Sequence, residues 1–199
     1  FLMIFFTPSV WDLWASGIRS GFAFVLLFTG LIYFNGTKRY IMFVGSVLIH
    51  LSMIPFIALY FLYNFLISQR HNLHTSIFYL SLLFFGLAII LLSDQFYTLP
   101  PLSQSIQYQL FILMLALIFI FFNTNAVRDL YGFISIGVIF IVLFGFIFDS
   151  SFIRYVGNFI VIFLFYLINK DDKKSIQLTC FFYFPYFFVT LYYSIINLI

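Results

Sequence analysis

Arg19 and His50 are the residues of this chain whose type and setting could do chemistry. Arg19 stands in Ser16-Gly17-Ile18-Arg19-Ser20-Gly21, at the mouth of an apolar run that continues to Phe34. His50 stands in Ile49-His50-Leu51-Ser52, inside a second apolar run. A guanidinium is always ionised and can grip phosphate oxygens in a two-pronged fork. An imidazole that titrates near neutrality can take a proton from a hydroxyl or hold that hydroxyl by a hydrogen bond. Ser20, beside Arg19, and Ser46, one helical turn before His50, are the nearest candidates for substrate contact. Ionisable groups within or at the lip of such runs are costly, so a function is their first explanation. Plainer explanations stand beside it. Arg19 can snorkel to headgroups as an anchor, His50 can hydrogen-bond between helices, and the Gly17-to-Gly21 spacing can be a small-residue packing face.

The elements that must position these residues follow from composition. With 64% hydrophobic and 8% charged residues and a mean hydropathy of +1.14, the chain departs from soluble globules, about a quarter of whose residues are charged. The expected fold class is all-α, a polytopic integral membrane helix bundle of about six to seven transmembrane helices, because the backbone must satisfy its own polar groups in lipid. Seven candidate spans run over 17–34, 40–66, 77–92, 106–122, 130–148, 152–168 and 176–199. Pro55 and Pro185 fall inside two of them and predict kinks. The first two spans are joined by the basic turn 35–39, which predicts an antiparallel hairpin with Arg19 at one membrane face and His50 near mid-depth. The stub 1–6 is too short to cross a bilayer that needs about 20 residues. It is read as the tail of a preceding helix, so that 1–199 is expected to be a single transmembrane domain from the C-terminal part of a longer protein.

Charge admits two topologies. If every candidate crosses, Arg19, Arg70, Arg128, Lys170, Lys173 and Lys174 share one face, which the positive-inside rule makes cytoplasmic. If 106–122 turns back instead, Lys38, Arg39, Arg128, Lys170, Lys173 and Lys174 lie together and Arg19 faces outward.

Residues 16–65 resemble the EpsG and Wzy-like family of polysaccharide polymerases. The resemblance is carried by Ile18-Arg19-Ser20-Gly21 at a helix start, Leu31-Ile32-Tyr33, the basic turn Lys38-Arg39-Tyr40, and Val47-Leu48-Ile49-His50-Leu51-Ser52 running into Pro55-Phe56. Ser20 stands where the family commonly has Gln. What the resemblance implies is a metal-independent, glycosyltransferase-type enzyme of a bacterial inner membrane, making O-antigen, capsule or exopolysaccharide. It would transfer the growing chain from a polyprenyl diphosphate onto the next lipid-linked repeat unit at the extracytoplasmic face. Its partners would be the polyprenyl-diphosphate-linked oligosaccharide and the lipid bilayer, with a chain-length regulator as a further option. In that setting Arg19 would hold the diphosphate and His50 would serve the acceptor hydroxyl. A flippase or transporter of lipid-linked sugars and a noncatalytic membrane subunit are the alternatives.

Two further groups extend the candidate site. Arg70, His71 and His74, in the loop after the second span, could form a basic rim for a diphosphate or acidic sugar, or simply meet lipid headgroups. In the last span Thr179, Tyr183, Tyr186, Thr190, Tyr193 or Ser194, and Asn197 recur at intervals of three and four along one helix side. That stripe either packs against neighbours or lines a hydrated groove in which Tyr183 and Tyr186 bind glycan hydroxyls. No cofactor, metal or nucleic acid is expected: a Gly-rich phosphate loop and a ligand cluster are both missing, and Cys180 is the sole cysteine.

Overall fold

The computed structural model describes residues 18–69, 74–93, 126–147, 156–170 and 177. Among them the fold is all-helical, with no strand. Six helices carry it: α1 (Ile18–Tyr33), α2 (Thr37–Ile49), α3 (Ile54–Gln69), α4 (Thr75–Ser93), α5 (Leu130–Ile147) and α6 (Val156–Asn169). Short 3-10 turns at Leu51–Met53 and Ala126–Arg128 precede α3 and α5. The candidate spans 106–122 and 176–199, with Pro185, lie outside the described residues apart from Gln177.

The predicted α1–α2 hairpin is present. Gly36 starts α2 with φ 60°, the left-handed region that favours glycine. The two helices then close tightly: Gly30 abuts Met42 and Phe43, and Gly45 faces Leu26.

The second expected span is two helices. At His50 the backbone turns extended (φ −153°, ψ 115°), ending α2. Leu51–Met53 makes one 3-10 turn, and α3 then runs back along α2. Ring contacts fix the reversal: Phe43 meets Tyr60 at 5.1 Å, Tyr40 stacks on Phe61 at 6.1 Å, and Phe24 of α1 meets Phe56 at 5.9 Å. Pro55 is therefore no kink within a span. It is the second residue of α3, where a helix leaves its N–H groups without partners and proline costs nothing.

The other helices pack on this trio. Gly137 of α5 is pressed against Leu59, Tyr63 meets Phe133 at 5.4 Å, and the Tyr63 hydroxyl donates to the Arg128 carbonyl, so α3 and α5 are antiparallel. α4 lies beside α5 in the same direction, with Phe78 on Phe133 and Gly86 against Phe140. α6 returns beside α5, its Tyr166 against Gly132 and its Phe165 on Tyr131 and Phe28. The core is mostly apolar: Leu27, Met53, Phe56, Leu59, Leu82, Phe133 and Ile139 are buried, with Ser46 and Ser135 the buried polar residues among those described. The outside is apolar too. Ile41, Val44, Leu48 and Leu51 project from one side of α2 and its turn, and Ile77, Leu80, Phe84 and Leu91 from one side of α4.

Candidate functional site

The bundle has two polar ends, and the chain reversal at His50 decides what each contains. At one end stand the first turn of α1, with Arg19, and the turn that carries His50 and Ser52. Continuing the α1–α2 register from Gly30 and Gly45 places the end of α2 across from about Phe22, one turn of helix in from Arg19, and α1 touches the 51–53 turn. Arg19 is exposed; Ser20, His50 and Ser52 are half-buried. His50, expected near mid-depth below Arg19, thus stands at the same end of the bundle as Arg19, because α2 stops after 13 residues and turns back.

His50 does two structural jobs in that turn. Its backbone N–H closes α2 on the Ser46 carbonyl at 3.0 Å. Its side-chain Nδ1 accepts the Ser52 backbone N–H at 3.2 Å and contacts Ser52 Oγ at 2.5 Å. The sequence assigns Ser52 no role beyond its place in the His50 motif; a serine two residues past a histidine and three before a proline is the signal that marks it. Ser46 is fully buried and its hydroxyl donates to the Phe43 carbonyl at 2.7 Å, so its polar atom is used within its own helix.

The opposite end gathers the C-terminus of α1, the N-terminus of α2, the C-termini of α3 and α6 and the N-termini of α4 and α5. Arg39 organises it. Its Nε donates to the carbonyls of Phe34 (2.8 Å) and Gly30 (3.1 Å), Nη2 to Asn35 Oδ1 (2.6 Å) and the Leu31 carbonyl (3.4 Å), and Nη1 to the Tyr60 hydroxyl (2.6 Å). A cation over the last carbonyls of α1 both fills their lone pairs and meets the negative end of the helix dipole. Asp129, the sole carboxylate among the described residues, accepts the Tyr131 and Gly132 amides at 2.9 and 3.0 Å and so caps α5. Lys38, Arg128 and Lys170 are exposed at this end, and Lys170 lies over the Tyr166 ring at 5.5 Å.

His74 also belongs to this end, since the start of α4 touches the 126–128 turn. With 40–66 as one crossing, the loop holding Arg70, His71 and His74 falls on the Arg19 face; the reversal at His50–Met53 adds a pass and moves His74 across. There it is exposed and pairs with Ser76 Oγ at 2.9 Å, capping α4 as His50 caps the turn before α3. Arg70, His71, Tyr183 and Tyr186 lie outside the described residues. Among the described residues no cluster of His, Cys, Asp and Glu could hold a metal ion.

No family model, curated protein or solved structure matches the chain. What the arrangement can do therefore rests on its own geometry. One end holds an exposed guanidinium and an imidazole held by a serine; at the other, Arg39 is spent on capping α1 while Lys38, Arg128 and Lys170 are exposed.

Proposed function

We propose that the chain is a polytopic membrane protein and the catalytic part of a glycan polymerase, transferring a polyprenyl-diphosphate-linked chain onto the next lipid-linked repeat unit. The single observation that carries this reading is the sorting of charge by the reversal at His50. Lys38, Arg39, Arg128 and Lys170 fall at one end of the bundle and Arg19 at the other. By the positive-inside rule the first end is cytoplasmic and the Arg19–His50 end extracytoplasmic, the side on which such a transfer takes place. The expected alternative grouping of Arg19 with Arg128 and Lys170 is incompatible with this packing.

Membrane insertion is supported by the outward-facing Leu48, Phe84 and Ile41, which are 82%, 65% and 63% exposed. Helices apolar on every side belong in a large core or in lipid. Leu51–Ser68 is the one stretch among the described residues long and apolar enough to cross alone. With Lys38 held at one headgroup layer, the 13 residues of α2 reach about 20 Å into a hydrocarbon core of about 30 Å. Arg19 and His50 then face the outer leaflet, the side from which a lipid-anchored diphosphate can enter. Cleaving the sugar–diphosphate bond builds charge on the leaving group, and the Arg19 fork is suited to hold it.

The test is the surface-glycan length distribution in a strain lacking the full gene, complemented with wild-type or Arg19→Lys protein at equal membrane abundance. Single repeat units in place of the long ladder, in both the deletion and the Arg19→Lys strain, are expected. Polymer of normal length in the deletion strain removes the polymerase reading.

A further inference from the structure

The Ser52–His50 contact assigns the imidazole proton. A backbone N–H can only donate, so the nitrogen that receives the Ser52 amide at 3.2 Å must be unprotonated. That nitrogen is Nδ1, and the Ser52 hydroxyl lies 2.5 Å from it. In the neutral ring the proton then resides on Nε2. His50 is half-buried, its Nε2 makes no hydrogen bond among the described residues, and the turn that follows it touches α1, which carries Arg19 near the same end of the bundle. A nitrogen bearing a proton is the wrong partner for taking one from a sugar hydroxyl. It is the right partner for an anionic oxygen beside a guanidinium.

We infer that Ser52 is a positioning residue that locks the His50 proton on Nε2, so that His50 donates a hydrogen bond to an oxygen of a lipid-linked diphosphate and is not the base on the acceptor hydroxyl. This rests on the reading that the Arg19 end receives such a lipid. In the transfer, the bond between the anomeric carbon and the diphosphate oxygen breaks and that carbon bonds to the acceptor oxygen. The hydroxyl proton leaves on the released diphosphate, while Arg19 and the Nε2–H stabilise the charge that develops there. The same Ser52 contacts that cap the turn thus select the chemistry of the ring.

Two measurements decide it. The first uses the full-length protein labelled with nitrogen-15 in histidine, in nanodiscs of phosphatidylcholine alone, with undecaprenyl diphosphate, or with phosphatidylglycerol. The His50 signals are identified by their loss in His50→Gln. The expected spectrum has the one-bond proton coupling on Nε2, and a shift of that signal with undecaprenyl diphosphate but not with phosphatidylglycerol. A proton on Nδ1 overturns the lock, and a shift with phosphatidylglycerol alone replaces the diphosphate by an ordinary headgroup and overturns the ligand. The second is polymer synthesis at equal membrane abundance. His50→Ala should lose about 100-fold in rate, as removal of a transition-state donor does, while His50→Gln, whose amide sits where Nε2 was but takes no proton, stays within about tenfold. Ser52→Ala should fall between, with Ser52→Thr restoring it. His50→Gln as inactive as His50→Ala overturns the donor role. Because the spectra need no turnover, they decide the lock and the ligand even where the deletion strain shows the polymerase reading to be wrong.

Discussion

The Arg39 guanidinium donates to the Tyr60 hydroxyl at 2.6 Å while also lying 5.3 Å from the centre of its ring, tying the first turn of α2 to the middle of α3. The same side chain covers three carbonyls at the end of α1. One arginine therefore joins three helices. Arg39→Lys keeps the charge but loses the planar fork, and should cost about 2 kcal/mol, the scale of a charged hydrogen bond left unmade. Tyr60→Phe should cost about 1 kcal/mol. Thermal unfolding of the purified protein in detergent checks both, and an unshifted Arg39→Lys transition would show that the fork is not what holds α1 to α3.

Asp129 accepts two amides of the first turn of α5 and no other carboxylate stands among the described residues. Asp129→Ala should lower stability by about 1 kcal/mol, whereas Asp129→Asn, an equally good cap, should stay within a few tenths. Equal losses in the two variants would mean that the charge matters more than the cap.

Three glycines rank by what a methyl group would meet. At Gly132 it would overlap the Ala126 carbonyl, a backbone atom that cannot step aside; at Gly137 it would overlap the movable side chain of Leu59; at Gly45 it would rest 3.8 Å from Leu26. Gly132→Ala should destabilise most, by about 3 kcal/mol, Gly137→Ala by about 1 kcal/mol, and Gly45→Ala not at all. The order of unfolding temperatures is the readout, and a Gly45→Ala variant less stable than Gly132→Ala would contradict the packing.

Orientation can be read by cysteine labelling in a Cys180→Ala background. Arg19, Lys38 and Arg128 are exposed. A membrane-impermeant maleimide should reach Arg19→Cys in spheroplasts, and Lys38→Cys and Arg128→Cys only after permeabilisation. Labelling of Arg19→Cys and Lys38→Cys from the same side would undo the assignment of the two ends.

The site was half legible in the residues. Arg19 at a helix start and the turn 35–39 announce the α1–α2 hairpin, because a glycine-containing polar break between two apolar runs has few other solutions. His50 is visible as an ionisable residue out of place, yet the reversal that begins at it is not. The turn that follows it is built from Leu51, Met53 and Ile54, as apolar as the helices on either side. Hydropathy cannot see a reversal made of apolar residues. Ser52 and Pro55 are its only marks, and Pro55 reads equally well as a kink until the next helix is seen to begin beside it.

The apolar, nearly uncharged sequence determined by itself that the described segments are helices and that Arg19 and His50 would stand out, since these depend on residue type and local spacing. Which end each charge occupies was decided only by the tertiary structure. Parity along the chain flips with every reversal, and one extra turn at His50–Met53 sends His74 to the end opposite Arg19 and overturns the arrangement that had grouped Arg128 and Lys170 with it. The use of Arg39 as a cap and of Asp129 as a helix start was decided there too, because both depend on carbonyls and amides brought together by packing and not on the identity of sequence neighbours.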